Sequence, residues 1–306
     1  MFSRILYYII VLPISLLPLA ILYRFSDIFY LLLISFIPYR RKIIETNLKN
    51  SFPNKSETEI KQLKRKFYRH FSDILVEGIK NISISKNQLN KRFKIKNPEI
   101  MDELYEKNKS VILVSGHYNN WEWLITSIAF HVKQKAVGIG MPMSNKFWNQ
   151  KINQKRERFG IKVLHAKNYK SFIENQPQTN FAILNLSDQS PGNSLKSYWM
   201  TFLNQPTAVL YGTEKMAFEF NYAVVFFNIQ KVRRGYYELT FETICEEPRT
   251  TEWGYITEQH TKKLEILINQ QPSNWIWSHK RWKREIPENL KELISLQKDK
   301  FLKQQF

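Results

Sequence analysis

Cysteine is all but missing from this chain. Cys245 is the only one among 306 residues, so no intramolecular disulfide, no CxxC pair and no zinc framework is available. That usage fits a reducing compartment. Acidic residues are also scarce: 27 Asp+Glu face 46 Lys+Arg, for a formal net charge of +19. A surplus of that size attracts anionic partners, whether nucleic acid, lipid headgroups or an acidic carrier protein. Several catalytic signatures are lacking too. There is no Walker A loop, no GxGxxG (Gly138-Ile139-Gly140 lacks the third glycine), no GxSxG elbow and no HExxH. The usual nucleotide, serine-hydrolase and zinc-protease readings fall away. Without an RRM, KH or helix-turn-helix signature, the basic charge does not point to nucleic acid. No repeat, low-complexity tract or long linker divides residues 40–306.

What is present is apolar and aromatic: 43% hydrophobic and 14% aromatic residues suffice for a real core. The N-terminus goes further. From Ile5 to Tyr23 run 19 residues without a charge, long enough at about 1.5 Å per residue to cross a hydrocarbon core of roughly 30 Å. Pro13 and Pro18 are expected to kink it. A second apolar patch, Ile28 to Ile37, is too short to span and is expected at the interface or packed on the domain. A cleaved signal peptide fits poorly, because no small-x-small site follows Leu19-Ala20 and the basic Arg40-Arg41-Lys42 comes next. Between Arg40 and Lys96 lie sixteen Lys/Arg against five Asp/Glu, which suits an anionic membrane surface and, by the positive-inside rule, a cytoplasmic domain. The expected organisation is a membrane anchor and interfacial segment over 1–38 and one catalytic domain over 39–306.

Helix and strand patterns alternate along that domain. Ser56, three places before Glu59, has capping-box spacing and opens a helix over 56–80, with Ile60, Leu63, Phe67, Phe71, Ile74 and Leu75 on a helical period. Further helices are predicted from Asn97-Pro98 to Lys107, over Asn120–Val132, over Asn145–Phe159 closed by Gly160, and over Tyr255–Asn269. Strands are predicted at Val111–Ser115, Ala136–Gly140, Phe181–Leu186, Ala223–Ile229 and Tyr237–Ile244. The fold class is therefore α/β: a mixed central sheet flanked by helices, with an N-terminal hydrophobic membrane-anchoring helix.

The stretch SGHYNNWEW (Ser115–Trp123) follows the buried strand directly. A histidine just past a strand end sits on the carboxyl edge of the sheet, where α/β proteins place their sites. If Glu122 falls in the first turn of the next helix, its carboxylate can fold back toward His117, orient the ring and raise its basicity. Such a pair can take a proton from a hydroxyl while that oxygen attacks an acyl carbonyl. The alternative is a structural histidine beside a solvated helix-start glutamate.

Taken with five other segments, the stretch resembles the lipid A biosynthesis acyltransferases, the late acyltransferases of the wider lysophospholipid acyltransferase group. The segments are the apolar anchor with YRFSD (Tyr23–Asp27) read as a turn, RRKIIETNLKNSFP (Arg40–Pro53), SGHYNNWEW as the family's His-x4-acid motif, KRERFG (Lys155–Gly160), NLSDQSPG (Asn185–Gly192) and NWIWSHKRWK (Asn274–Lys283). Related glycerol-phosphate acyltransferases usually carry Asp where Glu122 stands, which points to the lipid A branch. The resemblance implies His117 as catalytic base, Glu122 as the acid orienting it, and Arg156 as the arginine beside the catalytic carboxylate or substrate. Arg158 is the second arginine candidate. Asp188 looks like a family acidic residue near the site, and Asn120 and Gln189 complete the candidate substrate contacts. The family implies an acyl carrier protein donor, a membrane lipid acceptor, the cytoplasmic face of the bacterial inner membrane, and neither metal nor other cofactor. The Asn119-Asn120-Trp121 stretch is more polar and aromatic than in the best-known members, which leaves the acceptor open: a lysophospholipid or an amine-containing lipid is the alternative, and a non-catalytic anion-binding protein the rival class.

The other histidines receive plainer readings. His70, among Lys64, Arg65, Lys66 and Arg69, is expected at the surface or against lipid headgroups; His131, His165 and His260 are expected to be structural. His279, in WSHKRW, is a candidate neighbour of the site.

Overall fold

The computed structural model describes residues 1–303; residues 304–306, the end of the expected domain, lie outside the described residues. Its strands, in chain order, are β1 (Phe93–Ile95), β2 (Val111–Ser115), β3 (Lys135–Gly140), β4 (Lys162–His165), β5 (Phe181–Leu186), β6 (Tyr198–Phe202), β7 (Gln205–Val209), β8 (Ala223–Arg233) and β9 (Tyr236–Cys245). Seven of them form one sheet in the order β1-β9-β8-β2-β5-β3-β4. From β8 to β4 all neighbours run parallel, β9 is antiparallel to β8, and β1 is parallel to β9. This is the mixed sheet expected from the alternating pattern. β6 and β7 form a separate antiparallel hairpin.

The central strand shows why the sheet forms. All five residues of β2 are buried, and an uninterrupted run of β-branched and aliphatic side chains suits a parallel strand covered on both faces. Val111 and Leu113 enter one apolar cluster with Trp123, Leu124, Leu89 and Leu104, whereas Ile112 and Val114 enter the opposite one with Met216, Ala217 and Ile256. Helices thus cover both faces. The longest, Glu57–Lys80, begins with the predicted capping box between Ser56 and Glu59.

Several elements differ from the sequence reading. The helix expected over 120–132 is α-helical from Trp121 to Ser127 and ends in a single 3-10 turn. The helix expected over 145–159 spans Lys146–Glu157, with Gly160 at φ +111°. His70 is buried, not at the surface: on the Glu57–Lys80 helix it shares the inward face with Phe67, Ile74 and Glu77.

The N-terminus is not one helix. Phe2–Leu16 and Leu19–Ser35 are bent 119° apart; no single helix is long and apolar enough to cross a membrane, while the bent pair meets that test of length and composition together. Pro13 is absorbed where a π-helical stretch, Leu6–Val11, widens the turn ahead of it. Pro18 is not absorbed. It forces Leu17 out of the helical region to ψ 149°. The carbonyls of Ser15 and Leu17 released at this break accept from Lys80 Nζ, each at 3.0 Å, so the break is tied to the domain. The Leu19–Ser35 helix then packs on the Glu57–Lys80 helix through buried Leu22 and Leu33, and Ser26 Oγ donates to Asp73 at 2.8 Å. The second apolar patch therefore packs on the domain, and Tyr23–Asp27 lies inside this helix, not in a turn.

Candidate active site

β2 and β5 are adjacent, parallel and in a register that pairs Ser115 with Leu186. Each chain continues two residues past that pair, and those residues are His117 and Asp188. Ser187 N donates to Ser115 O at 2.9 Å, extending the ladder one step toward them. His117 N then donates to Asp188 Oδ2 at 2.8 Å, and His117 Nδ1 lies 2.6 Å from Asp188 Oδ1. Gly116 permits the approach: a Cβ there would come within 2.9 Å of the Asp188 carboxylate and 2.7 Å of Leu264.

Asp188 is buried, and its third donor is Trp275 Nε1 at 2.7 Å. Burial by itself would raise its pKa, but the imidazole and the donated hydrogen bonds outweigh that and hold it at about 2. A carboxylate this firmly ionised keeps the proton on Nδ1 and leaves Nε2 of a neutral His117 as the acceptor. Nε2 faces the exposed Gln189, whose amide nitrogen is 3.3 Å away. The Trp121 ring stands edge-on to the imidazole at 5.0 Å.

The turn between strand and helix is tied from several sides. Asn119 takes φ +54°, a conformation that asparagine tolerates better than most residues. Its N donates to Asn274 O at 3.0 Å and its Nδ2 to Ile229 O at 2.6 Å. Asn120 caps the Trp121–Ser127 helix by accepting from Trp123 N, while its Nδ2 donates to buried Glu77 at 2.6 Å. Both ends of the Asn120 amide, expected among the substrate contacts, are thus engaged within the protein.

Glu122 does lie in the first helical turn, but its carboxylate meets Arg156. Arg156 Nε donates to Oε2 at 3.0 Å and Nη2 to Oε1, a two-pronged pair. Glu122 overcomes the effect of burial and raises the Arg156 pKa. Among the described residues no hydrogen bond or ion pair joins Glu122 to His117. The carboxylate bonded to the imidazole is Asp188, because the sheet brings it there while the helix turns Glu122 toward the Lys146–Glu157 helix. Arg158 is placed apart from this cluster. Its guanidinium donates to the carbonyls of Asn81, Lys155 and Ile84 at 2.6–2.8 Å, and burial lowers its pKa to about 10.

His279 does reach the neighbourhood: its Nε2 accepts from Ser190 N at 3.0 Å and so braces the turn carrying Asp188 and Gln189. Burial lowers its pKa to about 4, so it accepts as a neutral ring. The bond from Trp275 to Asp188 has no counterpart in the local sequence pattern. The available signal was that Ser-Gly-His and Leu-Ser-Asp each follow an apolar strand, but using it requires knowing that those strands pair.

A strand-edge histidine hydrogen-bonded to a buried carboxylate is an arrangement with the chemistry to accept a proton from a hydroxyl. The model of the bacterial lipid A biosynthesis acyltransferase family matches residues 1–284; the chain belongs to that family and is an acyltransferase. It is also similar, at 25% identity over 286 residues covering 82% of this chain and 84% of the relative, to a lipid A biosynthesis acyltransferase of Haemophilus influenzae.

Proposed function

We propose that this protein moves a fatty acyl chain from the thioester of an acyl carrier protein to a hydroxyl of a lipid A precursor at the cytoplasmic face of the bacterial inner membrane. The observation that carries the reading is His117, one nitrogen bound to buried Asp188 and the other facing out beside Gln189, in a chain of this family. Nε2 takes the proton of the acceptor hydroxyl as its oxygen attacks the thioester carbonyl. The tetrahedral intermediate collapses, the C–S bond breaks, and the imidazolium returns its proton to the departing thiolate. Asp188 stabilises the imidazolium formed between the two steps. Gln189, facing the same nitrogen, orients the acceptor oxygen, and the Glu122–Arg156 pair holds the wall of the site. An acidic carrier protein is attracted by the +19 charge. The exposed apolar residues of the N-terminal helix pair, among them Phe2, Ile9, Leu16, Ile28 and Leu31, seat the enzyme in the bilayer that contains the acceptor.

The test is mass spectrometry of the total lipid extract of the host with the gene intact, deleted or carrying His117→Ala. One acyl chain missing from lipid A in both altered strains is the expected outcome. With purified enzyme, His117→Ala is expected to lower turnover roughly 10² to 10⁴-fold. Full activity in that variant sinks His117 as the base; an acyl group lost from another lipid class reassigns the acceptor.

A further inference from the structure

Beside the acyl-transfer centre lies a basic cleft of about 350 Å³ that the proposed chemistry does not use. It is lined by Tyr30 of the Leu19–Ser35 helix, by Arg65, Lys66, Arg69 and His70 of the Glu57–Lys80 helix, and by Asp73, Lys231 and Asn274 among others. The two carboxylates nearby are already taken. Asp73 accepts from Lys231 at 3.1 Å and from Arg234 at 2.6 and 2.9 Å, and Asp27 pairs with Arg69 at 3.0 Å and with Arg234 at 2.5 Å. Arg65 and Lys66 are exposed and have no hydrogen bond or ion-pair partner among the described residues. A neighbouring groove of about 500 Å³ shares Arg65 but contains Glu45 and Glu57, with Glu45 neutralising Lys64. That groove also holds Arg41 and Lys61, so basic charge borders both; of the two, the smaller cleft alone combines it with the buried, unpaired ring of His70.

His70 lines this cleft and is 93% buried, since its relative exposure is 7%. Both of its ring nitrogens are buried without a hydrogen-bond partner among the described residues. A buried polar group left unpaired is costly, and a ligand oxygen at this position removes the cost. His70 also borders an apolar recess with Ile74, Trp121, Trp275 and Ile276, and Trp121 is the ring that touches His117. Asn274, on the cleft wall, precedes Trp275, the donor to Asp188. The basic cleft and the catalytic imidazole thus lie at two ends of one apolar strip.

We propose that this cleft is an oxyanion subsite holding a phosphate group of the acceptor lipid, with Arg65 and Lys66 as its free cations and His70 as a ring N–H donor on its floor. The identity of the ligand as an acceptor rests on the function proposed above; the anion binding does not. A lipid source fits better than a soluble phosphate because the Leu19–Ser35 helix that supplies Tyr30 also exposes Ile28, Leu31 and Leu32, which gives acyl tails an apolar surface next to the cleft. Phosphate takes several donors at once from arginine and lysine, and each charge-assisted bond is strong in a partly enclosed site.

The experiment uses the full chain in non-ionic detergent and measures binding of dioctanoyl phosphatidic acid, with dioctanoylglycerol as the phosphate-free control. Saturable binding of the phosphatidic acid is expected, weakened about tenfold or more in the double variant Arg65→Ala/Lys66→Ala. His70→Gln is expected to weaken it less, with an unchanged melting temperature as the check on folding. Unaltered affinity in the double variant overturns the subsite. Competition by inorganic phosphate supports recognition of the phosphate alone, whereas binding of inorganic phosphate without any phosphatidic acid binding overturns the lipid assignment. With a phosphorylated acceptor, the double variant is expected to raise KM about tenfold and leave kcat nearly unchanged; an unchanged KM in an active enzyme overturns the proposal. A wild-type protein that binds the phosphatidic acid through these residues but transfers no acyl group retains the subsite and loses the proposed reaction.

Discussion

Asp188 and Glu122 are two carboxylates of one site, but the first is held by the sheet and the second by a pair of helices. Asp188 is buried, receives three hydrogen bonds and sits at a position set by the pairing of β2 with β5. The Glu122 side chain is 22% exposed, and its partner, Arg156 at 24%, comes from the separate Lys146–Glu157 helix. A group on a strand end inherits the rigidity of the ladder, and a group on a helix end inherits the looser packing of a helix against its neighbour. The proton transfer proposed for His117 needs the former. The difference indicates that the carboxylate bonded to His117 is identified by what fixes it, and not by its distance along the chain.

The largest expected effect separates the two carboxylates directly. Asp188→Asn removes the charge that holds Nδ1–H and stabilises the imidazolium, and turnover is expected to fall roughly 10² to 10⁴-fold. Glu122→Gln is expected to cost less, and nitrogen NMR of the His117 ring should shift in the first variant only. The reverse order of losses would restore Glu122 as the orienting acid. Next comes Gly116→Ala, which drives a methyl group into Asp188 and Leu264; a loss of about 2 to 3 kcal/mol in denaturant unfolding is expected, as for other overpacked sites.

Acid titration then tests the burial of Asp188. Its folded pKa of about 2 lies below the ordinary carboxylate value, so its stabilisation is complete above about pH 4 and is lost as pH falls toward 2, for a contribution of about 2 kcal/mol. Asp188→Asn should flatten the stability curve across that window. The smallest effect is the coupling of Glu122 to Arg156: a double-mutant cycle with Glu122→Gln and Arg156→Gln should return about 1 kcal/mol, while Glu122→Gln and Asp188→Asn should add independently.

Much of the fold could be read locally. The capping box at Ser56 and Glu59, the buried run at Val111–Ser115 and the helix over Tyr255–Gln270 are all where periodicity predicts them. The β6–β7 hairpin was not readable, and its turn explains why. Leu203 and Asn204 both take positive φ, at 51° and 60°, whereas the usual signal for such a turn is a glycine. Packing overrides the cost of a left-handed leucine: Leu203 is almost fully buried. His70 misled for a related reason, since four basic neighbours in sequence say nothing about which side of a helix faces inward.

The sequence by itself determined that this is a basic α/β protein with an apolar N-terminus and a histidine at a strand end, because composition and period are local properties of the chain. It also carried the family motifs that point to acyl transfer. Tertiary structure decided which carboxylate meets that histidine, how the N-terminal run breaks at Pro18 and docks, and which basic residues are left unpaired around His70. His117 and Asp188 lie 71 residues apart, and only the hydrogen-bonded register of two parallel strands brings them together. Such a register is a relation between distant segments, fixed by burying both strands at once, and no local pattern encodes it.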